Sequence, residues 1–276
     1  MREEYLSRVP EWYRSFEKFD VVLSDDLDGI VSTSALKFAK NWNVEYFYDF
    51  SKLYVTGKTY FKENKNATRV WADVAITRRE MTFDNHISRK NLGDKLNDLC
   101  INPNVITNVT NENYYDKYCG SSALLIWSLY NIPLPETELG KMLLLCIDST
   151  FKGFFGYNNF KERNRFYLCD VLGFEELYEV EKRHNREEFY ELISKYNLNA
   201  KTTIDKDGYL HTDLDLDFIG KELGIELSIP TDKCFIEWRE LEEHKVNNFY
   251  GDVASIKRLI TLAYTGKNFV KYSTMA

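Results

Sequence analysis

The sequence has little of several things, and each shortage excludes a class of protein. It has only five cysteines, Cys100, Cys119, Cys146, Cys169 and Cys234; the number is odd and no two are spaced C-x-x-C. A disulfide framework and a zinc ribbon are both excluded, and reduced, mostly buried thiols are expected. Long apolar runs are missing. The longest, at 123–130 and 142–147, fall well short of the ~20 residues that span a bilayer, so no membrane partner is expected. The opening twenty residues are charged and aromatic and do not read as a signal peptide. A cytoplasmic location follows as an expectation, and the sequons at Asn66 and Asn108 read as chance matches. Basic residues are not in excess: 36 Lys and Arg face 43 Asp and Glu, for a formal net charge of -7. That balance argues against a protein that coats long nucleic acids, which needs a basic face. It leaves room for a short oligonucleotide or a nucleotide held by a few local cations. There is no repeat and no low-complexity tract.

What is present is the material of a folded core. The chain of 276 residues is 44% hydrophobic, with 19 Tyr and 18 Phe, enough for one large domain or two. Residues 1–19 have aromatics near helical spacing and predict an amphipathic helix. Residues 19–23 are a short apolar run, the length of a buried strand. They lead into an acidic turn and then a helix carrying Ile30, Ala35, Leu36 and Ala39. Strands are predicted at 44–50 and 68–76, with a further acidic junction at "MTFDNHIS". Helices follow at 119–129 and 137–148. Alternating strands and helices predict an α/β fold with a mainly parallel sheet flanked by helices. Beyond the middle of the chain the pattern changes to charged helices, a hairpin turning at Asp207 and Gly208, and short mixed elements. We place a boundary near residue 180, between an α/β domain (1–180) and a smaller α+β C-terminal part (181–276).

Ligands of parallel sheets bind beyond the carboxyl ends of the strands. Asp26, Asp28 and Asp73 all fall at such ends. Carboxylates gathered in one crevice repel one another unless a cation neutralises them. Hard oxygen donors suit Mg²⁺ or Mn²⁺, which can lower the pKa of a bound water and stabilise charge on phosphorus. "DDLDG" alone is a weak motif. Its order with later features adds weight: D-x-D-G after a strand, an Asp at a second strand, D-x-H, then an Asp after an apolar helix.

That series resembles the DHH phosphoesterase family, most of all its nano-RNase branch. The matching segments are "VVLSDDLDGIVSTSAL", "VWADVAI", "FDNHIS" and "LLLCIDSTFKGFF", with "CGSSALLIWSLY" between the last two; together they cover roughly residues 18–160. The resemblance implies a metal-dependent phosphodiesterase of short oligonucleotides or signalling nucleotides, with up to two Mn²⁺ or Mg²⁺ ions per chain. It places Asp26, Asp28, Asp73 and Asp148 as metal ligands, Asp73 between the ions. Asp84 and His86 stand for the first and last letters of DHH, and His86 faces the substrate phosphate. Asp26, Asp28, Asp73 and His86 would form the catalytic set. Arg89, Lys90 and Ser121 are further substrate-binding candidates. Arg89 and Lys90 flank the third motif as phosphate partners, and Ser121 opens a helix N-terminus that either holds a phosphate or is simply capped.

The chain departs from the family at two metal-binding histidines, which are Ser24 and Asn85 here, and it lacks the C-terminal glycine-rich motif. Asp25 is an extra carboxylate. These departures motivate a second reading: a descendant without metals or catalysis that keeps the cleft and binds a nucleotide or a protein partner. The stretch 211–218, "HTDLDLDF", alternates acidic and apolar residues and is read as a half-exposed strand rather than a metal site.

Overall fold

Val21, Val22 and Leu23 are fully buried, as expected of apolar, partly β-branched residues on a pleated surface covered on both sides. They form the middle of β1 (Asp20–Ser24). The computed structural model describes residues 1–61, 68–157, 159–249 and 253–276; the sequon at Asn66 lies outside them. Among the described residues the further strands are β2 (Asn43–Tyr48), β3 (Lys52–Thr56), β4 (Arg69–Ala72), β5 (Met81–Phe83), β6 (Cys100–Ile101), β7 (Thr202–Ile204), β8 (Leu210–Thr212), β9 (Phe235–Asn247), β10 (Leu259–Gly266) and β11 (Phe269–Met275). β7 and β8 form a small hairpin sheet, and the rest form one nine-stranded sheet in the order β10-β11-β9-β3-β2-β1-β4-β5-β6.

The fold is α/β, and the large sheet is mixed. β1 runs parallel to β2 and β4, β4 to β5, and β5 to β6. On the other side β3 is antiparallel to β2, and β9, β11 and β10 continue antiparallel. The parallel pattern read from the first half therefore holds for one side of the sheet only. The antiparallel side comes from the last forty or so residues, which join the same sheet through β3. β9 pairs with β3 over its first half and with β11 over its second. This carries the last strands around until the sheet curls back on itself. The Leu262 and Tyr264 amides donate to the Ala75 and Ile87 carbonyls at 2.9 and 2.8 Å, and the Thr77 amide donates to the Ile260 carbonyl at 2.9 Å. β10 thus reaches the loops that follow β4 and β5, and a cleft is enclosed between them.

Helices flank the sheet. The helix Leu27–Lys40 starts on the Asp26 cap and stops at Asn41 in the left-handed conformation (φ 55°), which Asn tolerates well. Every residue of the helix Ser122–Leu129 is buried, so it is a central helix rather than an amphipathic one. The helix Glu138–Cys146 follows, capped by Thr137, and packs closely on the helix Leu216–Leu223, where Gly140 faces the Glu222 carbonyl. Leu210, Ile219 and Leu223 belong to the same buried cluster as Val21, Leu125 and Leu144.

Three local expectations need correction. The N-terminal segment is a short helix, Glu3–Leu6, and a 3-10 turn, Glu11–Arg14, because Pro10 removes a donor and breaks the run. The strand expected at 68–76 ends at Ala72, because Asp73 takes a positive φ of 60°. The stretch 211–218 is strand only to Thr212. Asp215 then caps the helix Leu216–Leu223 by accepting from the Phe218 amide at 3.0 Å. Acidic side chains that alternate like a strand here include a helix cap, as Asp in the first turn favours. The hairpin turn forms as read, with Gly208 at φ 87°. The thiols are free: Cys100, Cys146 and Cys169 are buried, Cys119 is half-buried and Cys234 is exposed. No described helix is long and apolar enough to cross a membrane.

Candidate active site

Three chain reversals at the carboxyl ends of parallel strands, and a fourth after a helix, build the site. After β1, Asp26 caps the next helix by accepting from the Gly29 amide at 3.1 Å, and Asp28 lies in the first turn. After β4, Asp73 stands in the left-handed region; its amide still donates to the Phe83 carbonyl at 2.9 Å. After β5 come Asp84, Asn85 and His86. After the helix Glu138–Cys146, Asp148 and Ser149 both have positive φ (48° and 54°). Non-glycine residues in that region cost energy and gather where the surrounding structure holds them for a purpose.

Gly29 makes the first reversal possible. A Cβ there would sit 2.7 Å from the Ser24 carbonyl oxygen and closer still to its hydroxyl. Gly29→Ala should therefore push the Leu27–Lys40 helix off β1 and lower stability by ~1–3 kcal/mol, as overpacking does. Urea unfolding checks this, and an unchanged midpoint would refute it.

Each acidic side chain has defined partners. Asp28 is buried, and its two oxygens accept from the Ser122 and Ala123 amides, both at 2.8 Å. The free N–H groups of the central helix thus hold this carboxylate. Asp73 accepts from the Ser122 hydroxyl at 2.9 Å. Asp84 is fully buried; it accepts from His86 Nδ1 at 2.8 Å and from Asn102 Nδ2 at 2.9 Å. His86 is thereby fixed through Nδ1, which leaves its Nε2 edge for the cleft. Asn85 Nδ2 donates to Asp148 at 2.7 Å and to the Gly120 carbonyl at 3.0 Å. Both partners are acceptors, so the amide nitrogen must be the atom that faces them. Asn85 Oδ1 is left buried with no partner among the described residues.

The electrostatics show how closely these groups lie. Burial pushes Asp28 up to about 7, helped by Asp148 and Asp26 and opposed by its backbone donors. Burial also raises Asp73 well above the usual carboxylate range, and Asp28, Asp26, Asp148 and Asp84 add to it. Asp148 is raised by burial and by Asp26, against His86. Burial lowers His86, but the bond to Asp84 and the charges of Asp84 and Asp148 outweigh it and the net shift is upward. The cluster carries negative charge that its own neighbours do not fully balance.

The cleft has two lobes. The first, about 380 Å³, is floored by Asp25, Asp26, Asp73 and Asp148 and walled by β9, β10 and β11. The second, about 440 Å³, is lined by Lys117, Lys152, Tyr114 and Phe160 among others. His86, Asp148 and Thr265 line both lobes and mark their junction. The structure thus brings Asp26, Asp73, Asp148 and His86 to the cleft from four separate segments, while Asp28 lines neither lobe and is buried against the start of the central helix. Arg89 and Lys90 line neither lobe; Arg89 is buried, with Nε and Nη2 unpaired among the described residues. Ser121 is also buried and lines neither lobe. Its hydroxyl caps its helix by accepting from the Leu124 amide at 3.1 Å. Ser24 is fully buried beneath the cleft.

No protein-family model, no curated protein and no solved structure matches this chain. Its chemistry has to be argued from the site itself. Several contributors carry no motif signal. Lys117 and Lys152 are ordinary surface-type residues in sequence. Asn102 orients Asp84. Lys201 reaches the acidic floor from the start of β7, with Nζ 2.9 Å from Asp25 and 3.3 Å from Asp26.

Whether these residues suit a divalent cation can be judged from the donors. No three His, Cys, Asp or Glu side chains among the described residues are drawn together tightly enough to hold an ion as they stand. Yet burial raises Asp73 and Asp28, with Asp28 and Asp148 adding to the rise at Asp73 and Asp148 adding to that at Asp28, and among the described residues Asn85 Oδ1 is an orphaned acceptor on the residue bonded to Asp148. Carboxylate rotamers adjust easily, whereas buried negative charge must be balanced. The donor set fits a hard cation. It is all oxygen, so Mg²⁺ suits it as well as Mn²⁺.

Proposed function

We propose that this cleft hydrolyses a phosphodiester or phosphoanhydride bond in a short oligonucleotide or a signalling nucleotide, with a divalent cation as cofactor. The reading rests on one observation: Asp26, Asp73, Asp148 and His86 line one cleft beyond the carboxyl ends of the parallel strands, with Asp28 buried behind them. It agrees with the resemblance to the DHH phosphoesterases. Asp28, Asp73 and Asp148 would hold the cation, which when bound supplies charge for the phosphorus centre and acidity for a water.

The chain's own groups do the rest. The bond to Asp84 fixes the ring of His86, and its raised pKa favours the imidazolium, which donates to a phosphate oxygen. Lys117 and Lys152 in the second lobe meet further phosphates, and Tyr114 and Phe160 offer ring faces to a base. The two lobes, about 380 and 440 Å³, have room for a short ligand. The second reading, a cleft that binds a nucleotide or a protein without cutting, is favoured by Asn85, which gives Asp148 an amide donor where the family has an imidazole ligand.

The deciding experiment is turnover of short oligonucleotides, cyclic dinucleotides and pyrophosphate by purified protein in Mg²⁺ or Mn²⁺. Hydrolysis that stops with EDTA is expected. No hydrolysis of any of the three, with nucleotide binding retained, would leave the second reading in its place.

A further inference from the structure

We propose that an exposed strip at the rim of the second lobe, made of Tyr115, Tyr157, Tyr190, Lys152 and Arg186, carries nucleotides beyond the one held inside, so that the ligand is a single-stranded oligonucleotide and not a lone nucleotide. The inference rests on the proposed function for the nucleotide character of the ligand. It needs neither a bound cation nor turnover.

The two lobes differ in charge. The first is lined by six acidic residues and three lysines, and each lysine is already bonded to one of those acids. In the second, Asp148 is the one acidic residue among those lining it, against Lys117, Lys152 and His86. A chain of phosphates is repelled by the first lobe and accepted by the second. With the reacting phosphate at the junction beside His86, the rest of an anionic ligand extends through the second lobe and out over its rim.

The rim suits such a ligand. Among the described residues nine large apolar or aromatic side chains are exposed, and three of them gather here. Tyr115, 61% exposed, meets Phe160 edge-on with 6.1 Å between centroids, and Phe160 lines the lobe. Tyr157, 82% exposed, directly follows Gly156, which also lines it. Tyr190 is 39% exposed and stands edge-on against the buried Phe151 at 5.3 Å, which fixes its ring. Cations alternate with these rings. The Lys152 ammonium lies 5.7 Å from the centre of the Tyr190 ring. Arg186, one turn earlier on the helix Arg186–Lys195, donates to the Tyr190 hydroxyl at 2.9 Å. That bond raises the pKa of Arg186, and smaller contributions from Tyr157 and Glu187 place both beside it. Of the acids nearby, Asp116 is paired with Arg163 at 2.9 Å. A single exposed ring is ordinary. Rings interleaved with cations, continuous with a basic lobe, are what stacks bases and holds the phosphates between them.

The test varies ligand length. Binding of adenosine monophosphate and of phosphorothioate oligoadenylates of two to six nucleotides, which resist cleavage, is measured by calorimetry in EDTA and in Mg²⁺. Wild-type protein is compared with Tyr157→Ala, Tyr190→Ala, Tyr190→Phe and Arg186→Gln, and thermal melting verifies that each folds. Affinity is expected to rise with length. Tyr157→Ala and Tyr190→Ala should each weaken the hexanucleotide about fivefold or more, the low end of what one base–ring stack supplies, and leave the mononucleotide unchanged. Arg186→Gln should weaken the hexanucleotide alone, and Tyr190→Phe, which keeps the ring, should bind it nearly as the wild type does. Affinity that does not rise with length, or variants that weaken the mononucleotide as much as the hexanucleotide, overturns the inference and leaves the proposed function with a ligand confined to the cleft. A dimer in sedimentation that Tyr157→Ala dissolves would assign the rings to a second copy of the chain and overturn it likewise. No binding of any length, with or without Mg²⁺, overturns both.

Discussion

Asp73→Asn should give a protein that melts higher than the wild type in cation-free buffer at pH 8 and has lost at least ~10²–10³-fold in turnover, the scale set by removing one preorganised electrostatic group from an active site. The two effects have one cause. Asp73 is buried among Asp28, Asp26, Asp148 and Asp84, and its ionised form is disfavoured by burial and by all four. Asparagine removes the charge and almost nothing else. Its side-chain oxygen can still accept from the Ser122 hydroxyl, now at 2.9 Å, and Asn tolerates the φ of 60° at this position at least as well as Asp. The repulsion disappears while the hydrogen bond and the backbone geometry remain. Under the proposed function a cation would lose one of its carboxylate ligands, so activity falls. A functional site that stores unfavourable charge is expected to behave this way. A purely structural acidic residue would give the opposite stability result. If Asp73→Asn melts lower than the wild type without cation, or retains activity, Asp73 is not held for a cation.

The order of segments around the site was readable because each reversal has a local cause. "DDLDG" reads as strand end, cap and helix because Asp accepts from the helix amides and Gly29 admits the close approach to Ser24. Asp73 is readable as the end of a strand. The strand is shorter than expected because the left-handed turn is chosen by the pairing with Phe83, a contact that no local pattern encodes. His86 could be picked out as a candidate, but its orientation depends on Asn102, sixteen residues on. Lys201 was invisible. It lies 175 residues from Asp26 in a stretch with no motif, and only the bond from Thr202 to Asp25 brings it to the floor. The mixed character of the sheet was hidden for a similar reason. β9, β10 and β11 alternate like any antiparallel strands, and nothing local says that they will extend the sheet begun by β1 or curl over its carboxyl ends. Arg89 shows the reverse error: a basic residue beside the third motif invites a phosphate, but the chain turns it into the interior.

Cation-free protein should lose thermal stability as the pH rises from 5 to 8, and Mg²⁺ or Mn²⁺ should restore much of it at pH 8 and little at pH 5. Burial and neighbouring carboxylates raise the folded pKa of Asp28 to about 7, and those of Asp73, Asp148 and Asp25 move in the same direction. A group whose pKa is raised on folding contributes stability that is fully present below its unfolded pKa. That contribution is lost as pH climbs through the folded value. The loss for Asp28 therefore runs from about pH 4 to about pH 7. His86, also raised, adds a loss of the same sign as pH climbs through its raised value. The lowered acids, such as Glu45, Glu138 and Glu243, are paired with lysine, arginine or histidine. They lose their contribution only in acid, as pH falls through their depressed values, and so do not offset the trend between 5 and 8. Three units at 1.36 kcal/mol each set a ceiling of ~4 kcal/mol for Asp28, or on the order of 10 °C in melting temperature for a chain of this size. A cation binds only the ionised carboxylates and so competes with protons. At one hundred times its dissociation constant it adds about 2.7 kcal/mol, an effect that grows with pH. Melting curves in EDTA and in Mg²⁺ or Mn²⁺ across this range decide the matter. A melting temperature that stays flat from pH 5 to 8 and ignores the cation would mean that the carboxylates of the floor are balanced by the protein itself.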